Sequence, residues 1–474
     1  MRHMIFISGL FVNDTPGRPG IHSNMTRAIA PYQLKHWLSQ FGIRSQVIDF
    51  AQCLTVSEII DLLDHFIGKE TVAIGFTTSF WPFNGMPQHL IEVVRQVRER
   101  WPSLKVIAGG AKSPSNWRLP SSTGRMMFDR VFSGYSEDSL TDYIQELIGK
   151  RGLSLFNKKF DITKLAHRFD ATDAIAPSEV LPVELGRGCI FKCKFCAHPN
   201  LGKSKLTYQR ANELLVDELR WDHEQFGTTR FNYVDDTVNE DLEKVKNLSL
   251  IPKKLGFNLE WNGFLRADLV WAHDGAPEYL YESGLRSAFF GIETFNNAAG
   301  SAVGKGWAAK HGKAFLPKLH HDLWKGDVRI HLNMIAGLPS ETMEQVRESA
   351  AWIKEQKVFS TRFVALHISQ SGVEHAMSEF ERNIEKYGYS MLGGENWTSD
   401  VCTRAEAQAT VKTIMDDVEP WLPIGSWNLF GLLSLGIDRE TAFSLTKADV
   451  DKLPYSIIHK FKTDYIKRLK AVAI

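Results

Sequence analysis

Short apolar runs alternate with helix-period segments along most of this chain. In the first 150 residues the runs fall at 4–7, 46–50, 72–78, 105–108 and 129–132. Between them, apolar residues recur at helical spacing over 29–41 and 56–67, and each segment is closed by a glycine, Gly42 and Gly68. Thr55 and Glu58 have the spacing of a capping box, and Pro87 stands where a third helix opens. Short strands separated by amphipathic helices predict a doubly wound, flavodoxin-like parallel sheet over 1–150. Ligands of such sheets bind beyond the carboxyl ends of the strands.

Residues 151–178 are mixed in pattern, end in Ala176-Pro177, and read as a linker. A second alternation begins at 179 and counts to six strands: 180–185, 230–234, 258–262, 287–292, 329–335 and 362–368. Helical periods at 213–226 and 342–357 fall between them. Parallel strands need crossover helices, so six such units over 179–370 predict a partial (β/α)6 barrel with its site at the strand carboxyl ends. The remainder, 371–474, reads as mostly helical. Its stretch 420–437 carries no charge but includes Pro423 and Asn428, which predicts a buried or partner-facing helix, not a membrane span. The apolar start, 4–12, lacks a small-residue cleavage site after it and reads as a first strand. The basic residues from Lys460 to Lys470 sit at helical spacing and read as a solvated face.

The 474 residues are 43% hydrophobic and 23% charged, with a formal net charge of +1. That balance supplies no global field for nucleic acid or an anionic membrane, so neither partner is expected. Of five cysteines, Cys53 and Cys402 stand alone, as buried or free thiols in a reducing compartment would; a cytoplasmic location is expected.

The other three cysteines change the picture. Cys189, Cys193 and Cys196 form a Cys-x3-Cys-x2-Cys run directly after a strand and the turn Gly186-Arg187-Gly188. Thiolate is the soft ligand favoured by zinc and by iron–sulfur clusters, and the glycines let the backbone curl so that three sulfurs can converge. Two readings follow. With His198 the set would be a Cys3His zinc site, although zinc sites usually draw two ligands from far along the chain. Without it, three thiolates leave one iron of a 4Fe–4S cluster open to a non-protein ligand.

The run, with Phe195 before its last cysteine, resembles the radical S-adenosylmethionine (SAM) superfamily, whose motif is Cys-x3-Cys-x-aromatic-Cys. The resemblance implies a 4Fe–4S cluster on Cys189, Cys193 and Cys196 that cleaves SAM to a 5′-deoxyadenosyl radical. It also implies SAM contacts at later strand ends: Asp235 and Asp236, Arg266 in an Arg-x-Asp pair with Asp268, Glu293 in a Gly-Ile-Glu turn followed by Gly304-Lys305-Gly306, and Gly337 with Glu341 in a Gly-Leu-Pro-x-Glu turn. Each has a plainer alternative, namely a helix cap for Asp235-Asp236, a turn for Gly-Leu-Pro and half of an ion pair for Glu293.

The first 150 residues resemble the cobalamin-binding domain that precedes many radical SAM cores. Ser79-x-Trp81 and Gly109-Gly110 match its two nucleotide-tail loops. The cobalt-ligating Asp-x-His-x-x-Gly loop is not matched. Between Asn13 and Asn24 the chain has Asp14, His22, Gly17 and Gly20 at other spacings, so a bound cobalamin would lack a protein histidine on cobalt. The function implied is a cobalamin-dependent radical SAM methyltransferase acting on an unactivated carbon or phosphorus centre of a small molecule or peptide, served by an electron donor such as flavodoxin or ferredoxin. The alternatives are a radical SAM cyclase, oxidase or rearranging enzyme without methyl transfer, and a zinc-stabilised binding protein. A methylthiotransferase would need three further N-terminal cysteines where only Cys53 stands.

Overall fold

The computed structural model describes residues 2–11, 25–81, 86–110, 126–149, 159–196, 209–368 and 377–472. The chain divides into two compact units, one of residues 1–182, 220–228 and 453–474, the other of 183–219 and 229–452.

The first unit is built on five strands, β1 (Met4–Ile7), β2 (Ser45–Ile48), β3 (Ala73–Thr77), β4 (Lys105–Gly110) and β5 (Arg130–Ser133). They lie in the order β2-β1-β3-β4-β5, with every pair parallel. Each residue of β1 and β2 is buried, as helices covering both sheet faces require. The capping box of Thr55 and Glu58 forms and opens the helix Val56–Phe66. Pro87 sits one place earlier than its first-turn preference suggests, as the residue capping the helix Gln88–Arg100. Strand order reverses between β1 and β3, which sets the ligand crevice at the carboxyl ends around that point.

Two pieces of chain join this unit that the sequence pattern assigned elsewhere. Residues 159–178 are no free linker: Lys35 Nζ donates to Asp170 at 3.0 Å and Asp173 at 2.5 Å, and Gln46 Nε2 donates to the Thr172 carbonyl at 2.8 Å. The last helix, Ser456–Lys470, also packs here, with the Asp49 backbone N–H donating to the Tyr465 hydroxyl at 2.7 Å and Lys462 meeting Glu58 at 2.8 Å. Its basic residues are therefore only partly a solvated face.

At the middle of the unit lies the guanidinium of Arg27. It donates to both oxygens of Glu179, at 2.6 and 3.1 Å, to the Tyr32 hydroxyl and to two backbone carbonyls. The rings of Phe50 and Tyr465 stand 5.1 and 5.5 Å from it. Neither side chain of the Arg27–Glu179 pair touches solvent.

The second sheet has six strands, β6 (Leu181–Val183), β7 (Arg230–Tyr233), β8 (Glu260–Leu265), β9 (Leu285–Glu293), β10 (Arg329–Ala336) and β11 (Phe359–Ala365), in strict sequential order. The ladders from β7 to β11 are all parallel. β11 begins three residues earlier than its apolar run predicts, because Phe359 is fully buried and pairs with Ile330. A hairpin of β12 (Tyr389–Gly393) and β13 (Asn396–Ser399) stands in the region read as helical.

Register sorts the inner face into layers. Asn232, Asn262, Ser287 and Arg329 are neighbours across one level; Phe264, Phe289, His331 and Ser360 across the next; Gly291, Asn333 and Arg362 above them. The uncharged stretch near 430 forms the helix Ser426–Ser434, with Leu429, Phe430, Leu432 and Leu433 buried. Its first residue enters the lowest layer: Ser287 Oγ lies 2.8 Å from Ser426 Oγ, and Asn262 Nδ2 donates to the Ser426 carbonyl at 3.3 Å.

Candidate active site

The cysteine run follows β6. Cys196 N donates to the Cys193 carbonyl at 3.0 Å, a turn that brings the last two cysteines close along the loop. None of the three is in a disulfide among the described residues, and each is half-buried. Cys189 Sγ lies 3.4 Å from the Thr237 hydroxyl, and burial pushes its thiol up, with Thr237 pulling the other way. Arg266, at the end of β8, reaches Cys193 Sγ with Nη1 at 3.5 Å. Its guanidinium lies 4.1 Å from the Phe191 ring centroid and is held by Asp268 at 3.0 and 2.7 Å. Asn239 clamps the Arg266 backbone at both N–H and carbonyl, 2.8 and 2.9 Å.

This donor set fits a thiolate-bound cluster. A guanidinium beside two of the three thiols offsets the negative charge that such a cluster places there. Among the described residues no three His, Cys, Asp or Glu side chains are gathered as a single metal ion would need. Thiolates around a four-iron cube surround a larger body. His198 lies outside the described residues.

Glu293 ends β9 in a conformation that non-glycine residues avoid, φ 68°. Such strain costs about 1–3 kcal/mol and persists where neighbours dictate it. Here Lys305 Nζ donates to Glu293 Oε1 and to the Gly291 carbonyl, both at 2.7 Å, while Asn333 Nδ2 reaches Oε2 at 3.3 Å. The ladder between β9 and β10 shifts register at the same place. Lys305 also lies 5.9 Å from the Phe195 ring, so the aromatic of the cysteine motif and the Glu293 turn share one neighbourhood.

Other expected site residues stand one step back. Asp235 is 4% exposed; it accepts from the Leu185 amide at 2.7 Å and faces Lys244 at 3.5 Å, tying the strand before the cysteine loop to β7. Burial raises its pKa to about 6, against the pull of Lys244. Asp236 adjoins Cys189, and Thr237 donates to the Asp236 carbonyl at 2.7 Å. The Gly-Leu-Pro-x-Glu turn is enclosed. A Cβ on Gly337 would meet Trp397 at 2.5 Å, and Tyr389 donates to the Gly337 carbonyl at 2.7 Å. Glu341 is 1% exposed and takes the Thr294 hydroxyl on one oxygen; burial raises its pKa to about 7. Gly337 and Glu341 thus shape this end of the barrel from behind the surface expected to meet SAM, and so does Asp235.

In the first unit, the two glycine and serine loops meet. Thr78 donates from N and Oγ1 to the Gly109 carbonyl at 2.9 and 3.1 Å. A Cβ on Gly110 would lie 2.5 Å from Thr78 Oγ1 and 2.8 Å from Ser79 Oγ, so only glycine leaves this approach open. Ser79 is exposed; Trp81 is half-buried, its N–H on the Thr78 carbonyl at 3.1 Å. Among the described residues, the loops beyond β3 and β4 thus present hydroxyls, backbone and glycine, groups that can approach and hydrogen-bond the ribose and phosphate of a nucleotide tail. That fits cobalamin's nucleotide end. The loop with Asp14 and His22 lies outside the described residues.

Residues 183–353 match the family described as Radical SAM superfamily. That stretch carries the cysteine run and the strands β7 to β10. Curated relatives include an uncharacterized methyltransferase of Pyrococcus horikoshii, 25% identical over 185 residues, 38% of each chain. A bacteriochlorophyllide d C-12(1)-methyltransferase of Chlorobaculum tepidum is 23% identical over 184 residues, 38% of this chain and 39% of that one. The matched stretch thus spans well under half the length of these relatives. Among solved structures, the radical SAM methyltransferase TsrM of Kitasatospora setae, with cobalamin and a [4Fe-4S] cluster bound, superposes with a TM-score of 0.62 at 14% identity, covering 100% of both chains. The cobalamin-dependent radical enzyme OxsB, with aqua-cobalamin bound, gives 0.58 at 14% identity over 99% of this chain and 80% of that one. The chain therefore shares its fold with both.

Sequence reasoning passed over Thr237, Asn239, Lys244, Asn333 and Phe191. Thr237 and Asn239 follow Asp235-Asp236 directly, and their place at a strand's carboxyl end was the available signal. Asn333 carries none, since its partner Glu293 is set by the register shift between two strands.

Proposed function

We propose that the chain is a cobalamin-dependent radical SAM methyltransferase acting on an unactivated carbon or phosphorus centre of a small molecule or peptide. The observation that carries this is the meeting of Cys189, Cys193, Phe195, Arg266, Lys305 and strained Glu293 at the carboxyl ends of one parallel barrel. Methyltransferase names among the relatives, and two cobalamin-bound neighbours of the same fold, support the methyl-transfer reading.

Cys189, Cys193 and Cys196 would hold a 4Fe–4S cluster, and Ser79, Trp81, Gly109 and Gly110 would cradle cobalamin. Bound there, the cluster would supply the electron that cleaves SAM to a 5′-deoxyadenosyl radical, and cobalamin would supply the methyl group. The chain's own work is placement. Glu293 and Asp236 offer anionic oxygens to the ammonium of SAM, with Lys305 and Asn333 fixing the Glu293 carboxylate. Arg266 holds its charge against the thiolates, aligned by Asp268 and stacked on Phe191. Asp235, Gly337 and Glu341 keep the strand ends in register behind them. The electron itself would come from a donor such as flavodoxin or ferredoxin. No described helix is long and apolar enough to cross a membrane, and a cytoplasmic location is proposed.

Anaerobic reconstitution followed by SAM and a reductant tests this. The expected result is about four irons per chain and 5′-deoxyadenosine, both lost when the three cysteines become alanine. One zinc per chain with no iron and no cleavage of SAM would overturn the reading.

A further inference from the structure

The inner face of the barrel is polar at its mouth and aromatic one layer below. Phe264, Phe289 and Trp427 are each half-buried, with their rings partly open. Phe264 meets Phe289 edge-on at 4.8 Å and Trp427 at a 45° tilt at 5.4 Å. His331 stacks on Phe289 at 4.5 Å, its Nδ1 3.0 Å from the Ser360 hydroxyl. Trp427 reaches this layer because Ser426, just before it, is anchored to Asn262 and Ser287 below.

Three half-exposed rings beneath a charged rim are an expensive surface to leave to water. The register makes the layer continuous with the site above, since Phe289 is followed on the same face by Gly291 and then Glu293, and His331 by Asn333. The occupant is therefore something the Glu293 end of the barrel acts on. Flat apolar walls inclined to one another, at 68° between Phe264 and Phe289 and 45° between Phe264 and Trp427, match a flat ring, which offers face and edge together, better than a flexible or charged chain. Nothing charged is contributed by the residues of this layer.

We propose that this layer is the substrate floor, that the group it receives is a planar aromatic ring, and that Trp427 of the plugging helix is its specificity-determining residue. The proposal rests on the radical SAM reading above. It places selectivity in a segment outside the matched family region, on a helix that closes the barrel from below.

Calorimetric titration of the reconstituted protein with indole tests it, with cyclohexanol as a non-planar comparison. Indole is expected to bind at least tenfold more tightly than cyclohexanol. Trp427→Ala should weaken indole about tenfold, Trp427→Phe should recover most of that loss, and Phe289→Leu should weaken it independently. Iron content and thermal midpoint, measured on every variant, separate loss of the floor from loss of fold. Equal affinity for the two probes, no indole binding, or indole binding indifferent to Trp427→Ala and Phe289→Leu would each overturn the proposal. Formation of 5′-deoxyadenosine in the same preparation reads the radical SAM assignment separately, so that failure of one is not mistaken for failure of the other.

Discussion

Two parallel sheets in this chain place their working loops by the same rule, beyond the carboxyl ends of the strands, yet furnish them with opposite chemistry. In the first unit the ends of β3 and β4 offer hydroxyls, backbone and glycine: Thr78, Ser79, Gly109 and Gly110. In the second, the ends of β6 to β10 offer thiols, a guanidinium, carboxylates and an ammonium: Cys189, Cys193, Arg266, Glu293 and Lys305. Strand topology says where a ligand goes, and side-chain charge says which. Hydroxyls and close-approaching backbone suit a bulky cofactor held by shape and hydrogen bonds, whereas a charged cluster suits a zwitterion and a metal that must be oriented to react. The first unit also seals one charge pair, Arg27 and Glu179, wholly away from solvent.

That contrast can be broken in graded ways. The largest stability effect is expected at the sealed pair. Glu179→Ala leaves the Arg27 guanidinium buried without its carboxylate, which should cost about 3–5 kcal/mol. Urea denaturation followed by signals from each unit would show it as early unfolding of the first unit with the second nearly unchanged. A loss below 1 kcal/mol would mean that the pair reaches water.

A smaller effect, with a pH signature, is expected at Glu341. Its folded pKa of about 7 lies above the ordinary 4.5 because burial penalises the charge, and Tyr389 and Cys402 are among the groups nearby. The folded state therefore binds the proton more tightly than the unfolded state, and stability falls as pH rises from 4.5 through 7. Glu341→Gln removes that fall, so it should stabilise the protein by at most about 3 kcal/mol above pH 7 and by nothing below pH 4.5. Melting curves across that range check it. A gain that did not change with pH would assign Glu341 a different partner in solution.

The smallest signal is spectroscopic. If the first unit holds cobalamin by shape and not by a cobalt–imidazole bond, electron paramagnetic resonance of the bound cob(II)alamin should show cobalt lines without nitrogen triplet splitting. Triplets that vanish in His22→Ala would show that the first unit holds cobalamin through a side-chain ligand after all.

Much of this was legible in the sequence, and the residues that were not are instructive. Strand–helix alternation predicts both sheets, because period and turn chemistry are local properties. The cysteine run and Gly109-Gly110 are legible because the backbone must curl or approach closely there, and glycine or thiol spacing records that directly. The docking of 159–178 and of the last helix onto the first unit was hidden, since Lys35–Asp173 and Lys462–Glu58 join residues far apart in the chain. So was the hairpin of β12 and β13, whose only local mark is Gly393-Gly394. Asp235 and Glu341 were expected in the site, but their enclosure was not legible: a carboxylate at a strand end reads the same whether it faces a ligand or a backbone amide.

The contrast between the two sheets is tested most directly by crossing their variants against both ligands. Equilibrium binding of hydroxocobalamin and of SAM would be measured on the reconstituted protein and on Gly110→Val and Glu293→Gln. Valine at 110 fills the approach to Ser79, and glutamine at 293 removes the anionic oxygen fixed by Lys305. The account predicts a clean exchange, with Gly110→Val losing cobalamin and keeping SAM, and Glu293→Gln weakening SAM and keeping cobalamin, while iron content stays level in both. Loss of both ligands in either variant, or of neither in both, would contradict it.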